Sequence, residues 1–211
     1  MKSPDWKEWD AAHKVEIEGF KKRDTLTLVK IEPSFAIRGT RWTYAVKGDD
    51  LRKRARLVCR GDQQQKGVDC FLTFSGTPNA PTVRFLLALC VILQFRISLE
   101  DVSQAFLNGK PDTVAHCKVP QGWYDARFQD NGKDWRAARH KWCMLVTGNM
   151  YGMCQAGRIW QNLAIGELTT KLKFQRSQVD GSLFFIKEPK SGKHVDLDKD
   201  VQTIKSPEEF E

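Results

Sequence analysis

The sequence predicts an α+β fold, an antiparallel sheet backed by helices, and three observations carry that reading. Residues 95 to 99, Phe-Arg-Ile-Ser-Leu, alternate apolar and polar side chains, the period-2 pattern of a half-buried strand. Two strand-like runs, 41–47 and 54–60, flank Gly48-Asp49-Asp50, a hairpin turn composition. The segment opened by Ala80-Pro81-Thr82 and running to Leu93 is apolar on nearly every side except Arg84, the signature of a helix buried in the core behind a sheet. With 211 residues, 41% hydrophobic and 28% charged, the chain has ordinary globular composition and room for one sizeable core or two small subdomains.

Taken in order, Ser3-Pro4 followed by Asp5 and Glu8 reads as a helix start, with Ser3 as N-cap and acids in the first turn. Trp6, Trp9, His13, Ile17 and Phe20 then share one face, so this helix docks onto something. A short strand over 25–29 follows, ended by Pro33. These residues, 1–40, lead into the main body at 41–187, and 188–211 is a Lys-, Asp- and Glu-rich tail. The strand of residues 95–101 carries Asp101 at its end and lies against the apolar helix, and Asn108-Gly109 is the turn that ends that stretch. Residues 110–141 read as strand plus surface loop, with a strand-like piece at 116–119, and Trp123 and Trp135 there fit either a packed or an exposed position. A last amphipathic helix, from about Gln155 to Lys173, aligns Trp160, Leu163, Leu168 and Leu172. There is no internal repeat.

Net charge is +8, from 34 Lys and Arg against 26 Asp and Glu. Arg52, Lys53, Arg54, Arg56 and Arg60 crowd the stretch between Arg41 and Lys66, the footprint either of a polyanion binder or of a solvated basic surface. The six cysteines are widely spaced, without a C-x-x-C pair or His at zinc-ligand spacing, and read as reduced thiols. The longest apolar run, Phe85 to Leu93, is too short to span a bilayer, and the N-terminus has no apolar leader. A soluble intracellular protein, cytoplasmic or nuclear and without a membrane partner, is expected.

Five blocks carry chemistry in a fixed order: Trp42 to Lys47, Arg54 to Gln63, Asp101-Val102-Ser103-Gln104-Ala105-Phe106-Leu107-Asn108-Gly109, Tyr151 to Trp160, and Asp180-Gly181-Ser182-Leu183-Phe184. In order and spacing they resemble the reverse transcriptase domain of Ty1/copia-type retrotransposons, from about Trp6 to Phe185. The resemblance implies RNA-directed DNA polymerisation on a fingers-and-palm fold, with an RNA/DNA template-primer and deoxynucleoside triphosphates as partners and Mg²⁺ (or Mn²⁺) as cofactor. It assigns Asp101 as the catalytic carboxylate and metal ligand, with the Val102 carbonyl as a further ligand. Phe106 matches the aromatic placed under the sugar to exclude a 2′-hydroxyl. The hairpin resembles the element that closes over the triphosphate, with Arg54 and Arg56 as bidentate phosphate donors and Lys47 and Arg60 facing the nucleic-acid backbone. Tyr151, Gly152 and Gln155 match the loop-to-helix block beneath the templating pair, where glycine permits close approach to a base.

Three departures bear on activity. Two-ion chemistry needs a clamp of several carboxylates, and the family's later Asp-Asp pair has no clean counterpart. The nearest acids, Asp196 and Asp198 in His194-Val195-Asp196-Leu197-Asp198, are separated by Leu197, and the polar run 188–193 stands where an apolar lead-in strand belongs. Glu100 stands where an apolar residue is usual, on the strand face opposite Asp101, where an unpaired carboxylate is costly. Cys154 replaces a usual Lys. The expectation is an incomplete, catalytically impaired reverse transcriptase copy. The alternatives are a non-catalytic nucleic-acid-binding module and a translated retroelement remnant without selected function.

Overall fold

The computed structural model describes residues 4–48, 51–128 and 133–186. In chain order the elements are α1 (Trp6–Lys22), β1 (Leu26–Lys30), β2 (Ile37–Arg38), β3 (Thr40–Lys47), β4 (Arg52–Cys59), α2 (Ala80–Ile92) and β5 (His116–Lys118). They continue with α3 (Trp135–Ala138), β6 (Trp142–Val146), α4 (Ala156–Gly166), β7 (Gln175–Arg176) and β8 (Phe184–Phe185). Helices mixed with small sheets make the chain α+β. Two compact units divide it: residues 1–74 with 104–160, and residues 75–103 with 161–211.

The first unit is built on a four-stranded sheet in the order β1-β6-β5-β2. Leu28 stands opposite Met144, and Met144 opposite Cys117, so one row of side chains crosses three strands. All three are buried. Two positions along, Leu26 opposite Val146 repeats the row on the same face, as the pleat requires. β6 is interior to the sheet and reads Trp-Cys-Met-Leu-Val, a continuous apolar run without the alternation that reveals half-buried strands, and it is not anticipated from the sequence. β2 pairs with β5 in parallel, which corrects the expected all-antiparallel sheet to a mixed one.

The hairpin β3–β4 forms where the turn composition places it, from Thr40 opposite Cys59 to Lys47 opposite Arg52. α1 packs across it. Phe20 and Leu57 are fully enclosed, each contributing about 1.5–3 kcal/mol by leaving water. On the outer part of the contact His13 stacks on Trp42 with centroids 4.2 Å apart, and Trp9 meets Tyr44 edge-on at 5.1 Å. The start of α1 differs from expectation: the helix begins at Trp6 with Asp5 as its N-cap residue, whose side chain makes no capping bond. That carboxylate instead pairs with Lys53 of β4 at 3.2 Å. Ser3 lies outside the described residues. Trp123 and Trp135 both pack on the core, Trp123 fully buried and Trp135 partly.

The second unit departs furthest from the sequence reading. Residues 95–101 form no strand, because alternation selects faces but a strand also needs a partner for its ladder, and no described residue pairs with this segment. Consequently Glu100 is exposed rather than buried, and its expected desolvation cost does not arise. α2 forms as expected, but none of its residues is buried: Phe85 is 65% and Val91 70% exposed. An apolar helix needs a sheet to cover, and the described strands of this unit are the two-residue pair β7 and β8, too small to cover it. Its N-terminus is tied instead by Asp180, which accepts from the Asn79 N–H and the Ser182 N–H, both at 2.9 Å. These bonds and one from Thr82 hold the Asp180 carboxyl below its ordinary range. The last amphipathic helix starts at Ala156 and ends in a π-helical turn over Glu167–Lys171. The 188–211 tail lies outside the described residues.

Candidate nucleotide-binding site

On β4 the strand period places Arg54 and Arg56 on one face, opposite the buried Ala55, Leu57 and Cys59. Beneath them α1 delivers a carboxylate that the sequence reading overlooked. Glu16 is 6% exposed; its Oε1 accepts from the Leu57 N–H at 3.1 Å and its Oε2 from Gln104 Nε2 at 3.3 Å. Gln104, in the left-handed region at φ 52°, in turn accepts from Arg23 Nη1 at 2.6 Å, and Arg23 Nε donates to Asn108 at 3.1 Å. This chain of bonds ties α1 and β4 to the 3₁₀ turn Ala105–Asn108 that carries Phe106. Burial pushes the Glu16 carboxyl up, against the pull of the Leu57 N–H, the Gln104 amide and the Arg56 and Arg54 guanidinium groups. A signal for Glu16 was present: it lies three residues after His13 and four before Phe20, on the docking face of the helix.

The Arg56 guanidinium sits over the Tyr151 ring at 5.3 Å, a cation–π contact, and Tyr151 leans on Phe106 at 5.5 Å and 50°. Arg56 Nε is enclosed with no acceptor among the described residues, so a hydrogen-bond donor is left unsatisfied. Burial, with Glu16 adding to it, pushes the Tyr151 phenol up. Arg54, Arg56, Phe106 and Tyr151 therefore come together in one unit, as a cationic and aromatic surface able to meet a phosphate and a sugar or base.

The remaining predicted residues have different surroundings. Gly152 has φ 84°, and a Cβ there would strike the Cys59 carbonyl and the Val58 side chain, so its close approach is to β4 itself. Tyr151 is locked by the same contact, its carbonyl accepting from the Cys59 N–H at 2.8 Å. Gln155 is fully buried, accepting from Gln64 at 3.0 Å and donating to Thr113 at 3.3 Å. Lys47 is exposed at the end of β3. Arg60 is exposed and held by Asp62 at 2.6 Å. Asp101 and Val102 are exposed and belong to the second unit. Asp196 and Asp198 lie outside the described residues. Among the described residues no three His, Cys, Asp or Glu side chains converge as metal ligands, so the described residues alone do not make up a two-ion clamp. No described helix is long and apolar enough to cross a membrane.

Residues 23–201 match the family model described as reverse transcriptase (RNA-dependent DNA polymerase). The chain belongs to the reverse transcriptase family. Relatives of this reverse transcriptase domain include the retrovirus-related Pol polyprotein from transposon TNT 1-94 of Nicotiana tabacum, 30% identical over 149 residues, which is 69% of the chain and 10% of the polyprotein. The corresponding polyprotein from transposon RE1 of Arabidopsis thaliana is 31% identical over 188 residues, 87% of the chain and 12% of the polyprotein. That from transposon RE2 of the same plant is 30% identical over 163 residues, 75% and 10% respectively. The reverse transcriptase domain thus spans only 10 to 12% of the length of these curated relatives. No solved structure matches the chain. The likeness to transposon Pol polyproteins agrees with the Ty1/copia assignment made from the ordered motifs, and enzymes of the family generally use a divalent metal.

Proposed function

We propose that this domain binds a deoxynucleoside triphosphate and an RNA/DNA template-primer on fingers-and-palm elements. In this reading it is a catalytically impaired copy of an RNA-directed DNA polymerase. The observation that carries the reading is Arg56, stacked on Tyr151 with an enclosed donor that no described group satisfies. Arg56 and Arg54 donate to the phosphates, Phe106 lies under the sugar, and Tyr151 holds the Arg56 fork in place. Gln155 acts through its bonds to the neighbouring loop and Gly152 through its fit against β4, so neither is assigned a nucleotide contact. Asp101 joins no group of three ligands among the described residues, so it is assigned no step through Mg²⁺ or Mn²⁺. The separation of Asp196 from Asp198 by Leu197, where the family has an adjacent pair, favours the second reading, a non-catalytic nucleic-acid-binding module.

Nucleotide titration followed by primer extension separates the two. Losing a charged hydrogen bond costs about 1.5–3 kcal/mol, so Arg56→Ala should weaken triphosphate binding by roughly 10- to 100-fold. Equal binding by wild type and variant would remove the nucleotide site and leave the module. Primer extension with Mg²⁺ or Mn²⁺ should give no product from this chain. Product that disappears with Asp101→Asn would restore the polymerase reading in full.

A further inference from the structure

Of the six cysteines, Cys154 is the exposed one. Its Sγ donates to the Gly61 carbonyl at 3.3 Å, and its N–H donates to Gln64 Oε1 at 2.8 Å. The next side chain, Gln155, reaches the Asp69 carbonyl at 3.5 Å, an oxygen that Thr113 also holds at 2.7 Å. Cys70 follows Asp69 and is 2% exposed, its carbonyl accepting from the Gly67 N–H at 2.8 Å. The flanking bonds set the two cysteines in the same neighbourhood, where the Cys154 thiol bears directly on that of Cys70.

We propose that Cys70 and Cys154 are a reversible oxidation site, an intramolecular disulfide that clasps the 61–74 segment to the Tyr151–Gln155 turn. The oxidant is a low-molecular-weight disulfide of the glutathione class. The Cys154 thiolate attacks one of its sulfurs; that S–S bond breaks, and one small thiolate leaves and takes up the proton Cys154 gave up. The Cys70 thiolate then attacks Cys154 Sγ, the mixed disulfide breaks, and the second small thiolate leaves with the proton from Cys70. Two protein thiols are oxidised by two electrons and the small disulfide is reduced to two thiols. Exposure makes Cys154 the thiol that reacts first. Burial pushes the Cys70 thiol up, and so does the neighbouring Cys154; capping Cys154 removes that second cause and favours the resolving step. Cys59 is the competing resolver, but burial pushes its thiol up to about 11.

The test uses the whole 211-residue chain, reduced and then incubated with oxidised glutathione at about pH 8. It is then denatured in N-ethylmaleimide, digested without reduction and mapped by mass spectrometry. The expected product is a dithiothreitol-sensitive peptide pair joining Cys70 to Cys154, with Cys59, Cys90, Cys117 and Cys143 alkylated. Cys154→Ser, at an exposed position, should yield no crosslink. Three outcomes on the wild-type chain overturn the proposal: a stable glutathione adduct on Cys154 with Cys70 alkylated, a link from Cys154 to Cys59, or both thiols alkylated.

Discussion

Gly152 shows how one residue's role changes once its neighbours are known. Its family position suggests an approach to a base, whereas the space a side chain would need is filled by the backbone of Cys59 and the side chain of Val58. Its φ of 84° adds a second demand that side-chain-bearing residues meet poorly. Gly152→Ala should therefore destabilise the first unit by about 2 kcal/mol or more, from the left-handed backbone and overpacking together. Gly166 is the contrast: it is helical, with nothing within 4 Å of an added Cβ. There Ala should stabilise by up to about 1 kcal/mol. Urea midpoints of the two variants check both signs, and an unshifted midpoint for Gly152→Ala would show that β4 gives way.

At the scale of elements, the contact between α1 and the hairpin contains a titrating group at its rim. His13 stacks on Trp42 and bonds the Tyr44 hydroxyl at 3.0 Å. Burial lowers its pKa below the ordinary 6.5, with Asp10 pulling weakly the other way. The unfolded chain then binds the proton more readily than the folded one, so the contact is at full strength above pH 6.5. It weakens as pH falls below that value, until the lowered folded pKa is passed. Glu16 works in the opposite sense: its raised pKa means that stability is greatest below 4.5 and is lost as pH rises through the folded value. Comparison of wild type with His13→Phe isolates the first effect, since Phe keeps the stack but cannot charge. The wild-type melting temperature should fall relative to the variant between neutrality and mildly acid pH. Parallel curves would show that protonating His13 does not disturb the docking.

For the whole molecule the relevant quantity is charge. A whole-chain net charge of +8, with Arg41, Lys47, Arg52, Lys53, Arg54 and Arg56 on the hairpin, predicts weak, sequence-independent binding to single-stranded or hybrid nucleic acid, falling steeply with salt as counterions are released. The structure ranks the contributors. Arg60 is held by Asp62 at 2.6 Å in the exposed loop after β4, while Arg54 and Arg56 stand over a carboxyl whose pKa burial has raised. Arg60→Ala alone should leave the salt slope nearly unchanged, whereas adding Arg54→Ala and Arg56→Ala should reduce it by about one for each phosphate that is no longer neutralised. Fluorescence anisotropy at several salt concentrations measures the slope. An unchanged slope in the triple variant would make the hairpin a solvated surface.

Local chemistry was legible without the fold. The hairpin followed from its turn composition and paired runs, α1 and α2 from their starts and periodicity, and family membership from five ordered blocks, because each depends on residues close in the chain. Pairing and burial were decided elsewhere. The alternation at residues 95–99 chose two faces but had no partner strand among the described residues, so Asp101 and Glu100 are exposed on an unpaired segment. β6 lacked alternation because both its faces are covered: the adjacent Cys143 and Met144, on opposite faces, are both buried. Glu16 became the buried partner of Leu57 and Gln104, and Gln155 a closed structural amide, through contacts spanning 41 to 91 residues of sequence. Such contacts depend on which segments meet in three dimensions, and local patterns of apolarity and charge do not encode that choice one segment at a time.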